Sequence, residues 1–155
     1  MLKEGISTMN SPAKLCWQLQ ANRQQLFSIA QKIATSLREL PYFCLWLEGD
    51  IGAGKTTLSG VILRALGLDP SIPVTSPTYA YINDYEIPPH KYAHIDLYRA
   101  AVNFSPEEFF NLDEAQYKGL LVEWPEVVSA EHLLKPTHRL SIEFKGGGRV
   151  YSFFE

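Results

Sequence analysis

Cysteine is scarce in this 155-residue chain: Cys16 and Cys44 are the only two. They do not make a metal pair. Each sits in an apolar run, so both read as buried thiols of a reducing compartment. An excess of positive charge is also missing, with 14 Lys+Arg against 17 Asp+Glu. That balance leaves no electrostatic footprint for autonomous nucleic-acid binding. No apolar run reaches the ~18 residues of a membrane span. The N-terminus carries no apolar signal-peptide core. The expectation is a cytoplasmic protein with no membrane partner. Internal repeats and low-complexity segments are absent, and the length suggests one domain with a single core.

What the chain does have is Gly49-Asp50-Ile51-Gly52-Ala53-Gly54-Lys55-Thr56-Thr57. This fits the phosphate-loop pattern G-x-x-x-x-G-K-[ST]. The chemistry asks for these residue types. Glycines let the backbone turn tightly, so that successive N–H groups aim at phosphate oxygens. The N-terminus of a following helix adds partial positive charge. Lys55 supplies a point charge to the outer phosphates, and the Thr56 hydroxyl is a ligand for the accompanying Mg²⁺. The flanks agree. Tyr42 to Leu47 is an apolar run of strand length, and apolar residues at 58, 61, 62, 65 and 66 mark a helix face that Gly67 stops.

The remainder reads as alternating strands and helices. Residues 1–13 look like a flexible tail, with 14–155 as the phosphate-loop domain; Met9 is an alternative start. Lys14 to Leu19 is a candidate strand. Asn22 caps a helix with Gln25 as its capping-box partner, and Leu26, Ile29, Ala30, Ile33 and Leu37 line one face. Tyr79–Asp84 and Tyr92–Leu97 pair across Pro88-Pro89. Ser105-Pro106-Glu107-Glu108 starts a helix running to about Asn111, and a further turn spans Asp113–Tyr117. Gly119–Glu123 is a short buried strand. Arg139–Phe144 and Arg149–Phe154 form a terminal hairpin around Gly146-Gly147-Gly148. The expected fold is α/β: a mostly parallel central sheet flanked by helices, with an antiparallel C-terminal hairpin.

A phosphate loop needs carboxylates to hold the metal and orient the attacking group. Asp96 and Glu123 each end an apolar run, where open α/β sheets place ligands. The alternative for each is a strand-end acid facing solvent. Thr78, in Ser76-Pro77-Thr78-Tyr79, is either a switch threonine or part of an ordinary turn. Trp124 either walls the pocket beside Glu123 or packs in the core. The four histidines, His90, His94, His132 and His138, lack zinc spacing and read as structural or surface residues. Asn22 and Arg149 are candidates for gripping adenine.

Taken together, the loop at 49–57, Ser76-Pro77-Thr78-Tyr79, His94-Ile95-Asp96-Leu97-Tyr98-Arg99 and Val122-Glu123-Trp124-Pro125 resemble the bacterial TsaE (YjeE) family, over roughly residues 15–154. The loop alone is shared by many families; the other boxes at these spacings carry the specificity. Ile51 stands where the family usually has Leu, a volume-neutral departure. The resemblance implies ATP in the loop, Mg²⁺ held by Thr56 and Glu123, an important Asp96 and a switch-like segment at Ser76–Tyr79. It further implies TsaD-like and TsaB-like partners in tRNA threonylcarbamoyladenosine modification, with tRNA contacted only indirectly.

Two other functions fit a phosphate loop of this size: a small-molecule kinase and a nucleotide-dependent binding switch. Kinases of this type close an arginine-bearing lid over the transferring group. The chain has six arginines, and between the loop helix and Glu123 only Arg99. Slow, partner-dependent hydrolysis is therefore expected.

Overall fold

Phe43–Gly49 forms a strand whose alternate side chains enter two different apolar layers. Phe43, Leu45 and Leu47 face one way; Cys44 and Trp46 face the other. A continuous apolar run is what a strand covered on both faces requires. The computed structural model describes residues 13–77, 81–100, 112–127 and 134–155. The helix expected from Ser105, residues 1–12 of the expected tail, Thr78 and His132 lie outside them.

Seven strands form one sheet: β1 Leu15–Ala21, β2 Phe43–Gly49, β3 Ile82–Ile87, β4 His90–Asp96, β5 Gly119–Glu123, β6 His138–Lys145 and β7 Gly148–Phe154. Their order is β1-β7-β6-β2-β5-β4-β3. The four central strands, β6, β2, β5 and β4, are mutually parallel. Both flanks are antiparallel, with β3 on β4 at one edge and β7 and β1 beyond β6 at the other. The hairpin β3–β4 runs closer to its turn than the sequence suggests, because pairing continues to Ile87 and His90.

Helices α1 Leu26–Arg38 and α2 Lys55–Leu66 pack together on one face of the sheet. Helix α1 buries Ile29, Ala30, Ile33, Ala34 and Leu37. A fully buried Leu or Ile contributes roughly 1.5–3 kcal/mol, so this stripe anchors the helix. A 3₁₀ turn, Arg23–Gln25, precedes α1. Asn22 Oδ1 accepts from the backbone N–H groups of Gln24 and Gln25, and Gln25 returns a bond to the Asn22 N–H. Helix α2 stops at Gly67, whose φ of 116° is left-handed. The Leu68 N–H reaches the Leu63 carbonyl across it, at 2.9 Å.

The opposite face carries a second layer built on Ala93, Ile95, Leu120 and Val122, covered by Tyr117, Trp124, Val127 and Leu134. The expectation of one core becomes two layers separated by the sheet. Cys44 is buried as expected, but Cys16 is exposed. It lies on β1, an edge strand with only β7 beside it, so its apolar neighbours do not enclose it.

Candidate active site

The loop between β2 and α2 is shaped by its glycines. A Cβ on Gly49 would stand 2.8 Å from the Ile142 carbonyl oxygen and 3.1 Å from Ala53 Cβ, so no side chain fits. Gly52 and Gly54 have φ of 77° and 104°, which L side chains rarely adopt. Gly54 starts α2 without any side-chain cap. The first N–H groups of a helix have no intrahelical acceptor, so an uncapped start is a ready anion site.

Lys55 opens α2 and is buried, at 5% exposure. Its ammonium donates to the Gly49 carbonyl and, at 3.0 Å, to the Asp50 carbonyl. The indole of Trp124 lies across it, 3.8 Å from centroid to Nζ. Burial pushes the Lys55 pKa down, against the opposing pull of Glu123, Glu126, Asp96 and Asp50. Trp124 reaches this position from a left-handed backbone, φ 57°, a conformation costing on the order of 1–3 kcal/mol for a bulky residue. Both sequence readings for Trp124 hold: it lines the pocket and packs against the second apolar layer.

Parallel pairing of β4 and β5 sets Asp96 directly beside Glu123. Glu123 is almost fully buried, at 2% exposure. Its Oε2 accepts from the Thr56 hydroxyl at 3.1 Å. Thr56 Oγ1 also lies 2.9 Å from Ser76 Oγ, so the segment leading to Thr78 touches the loop. Glu123 Oε1 lies 2.6 Å from His94 Nε2 and 3.4 Å from Ser59 Oγ. Asp96 accepts the Tyr98 N–H at 3.0 Å. Burial and the Glu123 charge raise its pKa, while the Tyr98 bond, His94 and Lys55 oppose the rise.

A cavity of about 360 Å³ opens above these groups, within the range of small-ligand pockets. Lys55, Thr56, Thr57, Asp96, Glu123 and Trp124 line it on the carboxylate side. Ile51, Gly52, Ala53 and Gly54 line the loop side, with Ile51 projecting at 71% exposure. Arg23, Leu26, Arg149 and Tyr151 form the remaining wall. Arg149 donates to the Gly52 carbonyl at 3.3 Å. Asp50 offers its carbonyl to Lys55 rather than a side-chain contact.

One sequence reading changes. Asn22 is not among the lining residues, and its carboxamide oxygen is engaged by the 3₁₀ turn; the adjacent Arg23 and Leu26 line the cavity instead. His94, read with the other histidines as structural or surface, is fully buried against Glu123. One signal pointed to it. His94 and Asp96 are two apart on one strand, so they share a face.

The donor set suits a hard cation. Thr56 and Glu123 present oxygens side by side, and Mg²⁺ takes one or two protein oxygens together with phosphates and water. Among the described residues there is no group of three His, Cys, Asp or Glu side chains that forms a metal cage, which such a shared site does not need.

Strand β2, the glycine loop and helix α2, set in a parallel-centred sheet with carboxylates at the ends of β4 and β5, define the class: a P-loop NTPase fold. A model of the family described as "Threonylcarbamoyl adenosine biosynthesis protein TsaE" matches residues 20–150. The chain belongs to the TsaE family. It is 36% identical over 106 residues to the tRNA threonylcarbamoyladenosine biosynthesis protein TsaE of Aquifex aeolicus, covering 68% of this chain and 73% of that protein. The protein of the same description from Bacillus subtilis is 33% identical over 129 residues, covering 82% and 75%. The crystal structure of Bacillus subtilis YdiB superposes with a TM-score of 0.61 at 27% identity, covering 89% of this chain and 85% of that one.

Proposed function

We propose that this chain binds ATP with Mg²⁺ in the loop Gly49–Thr57 and hydrolyses it slowly, in support of tRNA threonylcarbamoyladenosine formation. The observation that carries this reading is the meeting of Thr56 and Glu123 at 3.1 Å beside the buried Lys55. Lys55 exchanges its backbone carbonyls for phosphate oxygens. The uncapped start of α2 turns its N–H groups to the same anion. Thr56 and Glu123 hold Mg²⁺, which neutralises charge on the phosphates when bound. Asp96 orients the attacking water, and its raised pKa reflects a site where proton affinity is tuned by burial. Trp124 keeps solvent from the Lys55 side. Arg149, with Arg23 and Leu26, faces the nucleoside end. Thr78, two residues beyond Ser76 in the sequence, serves as a switch threonine.

The partners are TsaD-like and TsaB-like proteins, with tRNA reached only through them, in a cytoplasmic setting. Residues 14–155 form the ATPase domain. The test measures phosphate release from Mg-ATP by the chain alone and with TsaD and TsaB present. Slow release alone and a several-fold rise with the partners is the expected result. Phosphate transfer to a small metabolite, with no response to the partners, would overturn this in favour of a kinase.

A further inference from the structure

The Glu123 carboxylate has two oxygens in two environments. Oε2 faces Thr56 at the loop. Oε1 faces inward, with two neighbours: Ser59 Oγ at 3.4 Å and His94 Nε2 at 2.6 Å. Ser59 has one hydroxyl proton to give, and the Lys55 carbonyl lies nearer, at 2.9 Å. That proton is therefore committed along the helix. The donor left for Oε1 is the imidazole. An ionised carboxylate only accepts, so the bridging proton belongs to His94 Nε2. His94 Nδ1 is buried with no hydrogen-bond partner among the described residues. An unpartnered nitrogen costs about 1–3 kcal/mol as donor or as acceptor, so the Glu123 contact alone decides the tautomer. A neutral ring that donates from Nε2 leaves Nδ1 bare.

The strand pattern explains how His94 arrives. Asp96 pairs beside Glu123, and His94 pairs beside Leu121. The two residues of β4 share a face, so one strand delivers an acid beside Glu123 and an N–H donor beneath it. The donor fixes which oxygen points at Thr56.

We propose that His94 is a positioning residue for the loop site: its Nε2–H pins Glu123 Oε1 and so presents Oε2 to the cation that accompanies the nucleotide. The inference rests on the ATP-binding reading, and goes beyond it by giving a role to a buried histidine that touches no ligand. Hydrogen-bond partners of a ligating group commonly alter metal affinity by about 10–100-fold when removed.

Three variants and two readouts test it. His94→Phe keeps the ring volume and removes the donor. His94→Gln restores an N–H at similar reach. The first readout needs no ligand: a slowly exchanging imidazole N–H resonance, far downfield, in the free protein. It should be present in the wild type and absent in Glu123→Ala. Its absence in the wild type overturns the pinning, whatever the protein binds. The second is Mn²⁺ affinity in the presence of ADP, read by electron paramagnetic resonance. We expect His94→Phe to weaken Mn²⁺ by about tenfold or more, His94→Gln to recover most of it, and metal-free nucleotide affinity to stay within about twofold. Unchanged Mn²⁺ affinity in folded His94→Phe would overturn the proposal. If His94→Phe does not fold, a folded His94→Gln with wild-type Mn²⁺ affinity supports the donor role, and one with tenfold loss overturns it. A wild type that holds the downfield proton but binds neither nucleotide nor Mn²⁺ overturns the ATP reading, and with it the cation role of His94.

Discussion

The Lys55 ammonium lies 3.8 Å from the centroid of the Trp124 ring. A cation over an indole perturbs its emission, and Lys55 must leave its carbonyl partners to meet a phosphate. Saturating Mg-ATP should therefore change tryptophan fluorescence. Trp17 stacks on Phe153 and Trp46 donates to the Leu134 carbonyl, both outside the cavity lining. The change should vanish in Trp124→Phe while calorimetry still detects nucleotide. Emission that stays constant as nucleotide saturates the wild type would show that Lys55 does not move.

Lys55→Ala should weaken Mg-ATP binding at least tenfold. The glycine cradle remains, but charge-assisted bonds worth about 1.5–3 kcal/mol are lost. Isothermal titration gives the answer directly, and an undiminished affinity removes the nucleotide assignment.

Glu123→Gln keeps the shape of the buried carboxylate and removes its charge. Mg²⁺-dependent hydrolysis should fall by about 100-fold or more, with metal-free ATP binding retained. If the variant melts far lower yet the folded fraction is fully active, Glu123 is structural.

Asp96→Asn carries a prediction of two signs. The folded-state pKa of Asp96 is raised above its ordinary 3.8, burial being the largest cause. A carboxyl raised in this way binds its proton more tightly in the folded state. Its ionisation therefore costs stability, in full above the folded pKa and not at all well below the unfolded one. Asp96→Asn should melt higher than the wild type at pH 7, with the difference shrinking as pH falls towards the ordinary value. Partner-stimulated turnover should nevertheless fall while ATP still binds. Equal melting temperatures at pH 7 and pH 3.5 would show that burial does not strain this acid. Normal turnover would make the Asp-Leu-Tyr-Arg segment scaffold.

Much of this was legible in the chain because it is local. The run before Gly49, the helical face after Thr56 and the Asn22–Gln25 capping box each follow from residues within a few positions of one another. The strand ends at Asp96 and Glu123 were readable for the same reason. The pairing of those ends is not local. It depends on β5 inserting between β2 and β4, an order that periodicity does not encode. The contact of His94 is not legible in the sequence for the same reason: its partner Glu123 lies on that neighbouring strand. The place of Arg23 depends likewise on β1 joining β7 at the far edge. The exposure of Cys16 is not legible either, because an apolar run does not reveal that it forms an edge strand, paired with β7 alone and largely exposed.

Gly119 gives a test of packing away from the loop. It pairs with Phe43 on one side and Tyr92 on the other. A Cβ there would meet the Phe43 ring at 2.2–2.6 Å. Phe43 is fully buried and has nowhere to withdraw. Gly119→Ala should lower stability by roughly 1–3 kcal/mol, the usual cost of overpacking, seen as a drop in the denaturation midpoint. A midpoint equal to the wild type would mean that the ring moves freely.

Strand β1 pairs with β7 alone, and their register places Ala21 against Arg149. These strands come from opposite ends of the described sequence, and Arg23 and Arg149 share one wall of the cavity. Long loops are entropically slow to close. The glycine turn belongs to a short stretch of contiguous chain, whereas the arginine wall waits for the most distant pairing in the sheet. One wall of the pocket is thus local to its own stretch of chain, and the two arginines close the other only where the two ends of the described sequence meet.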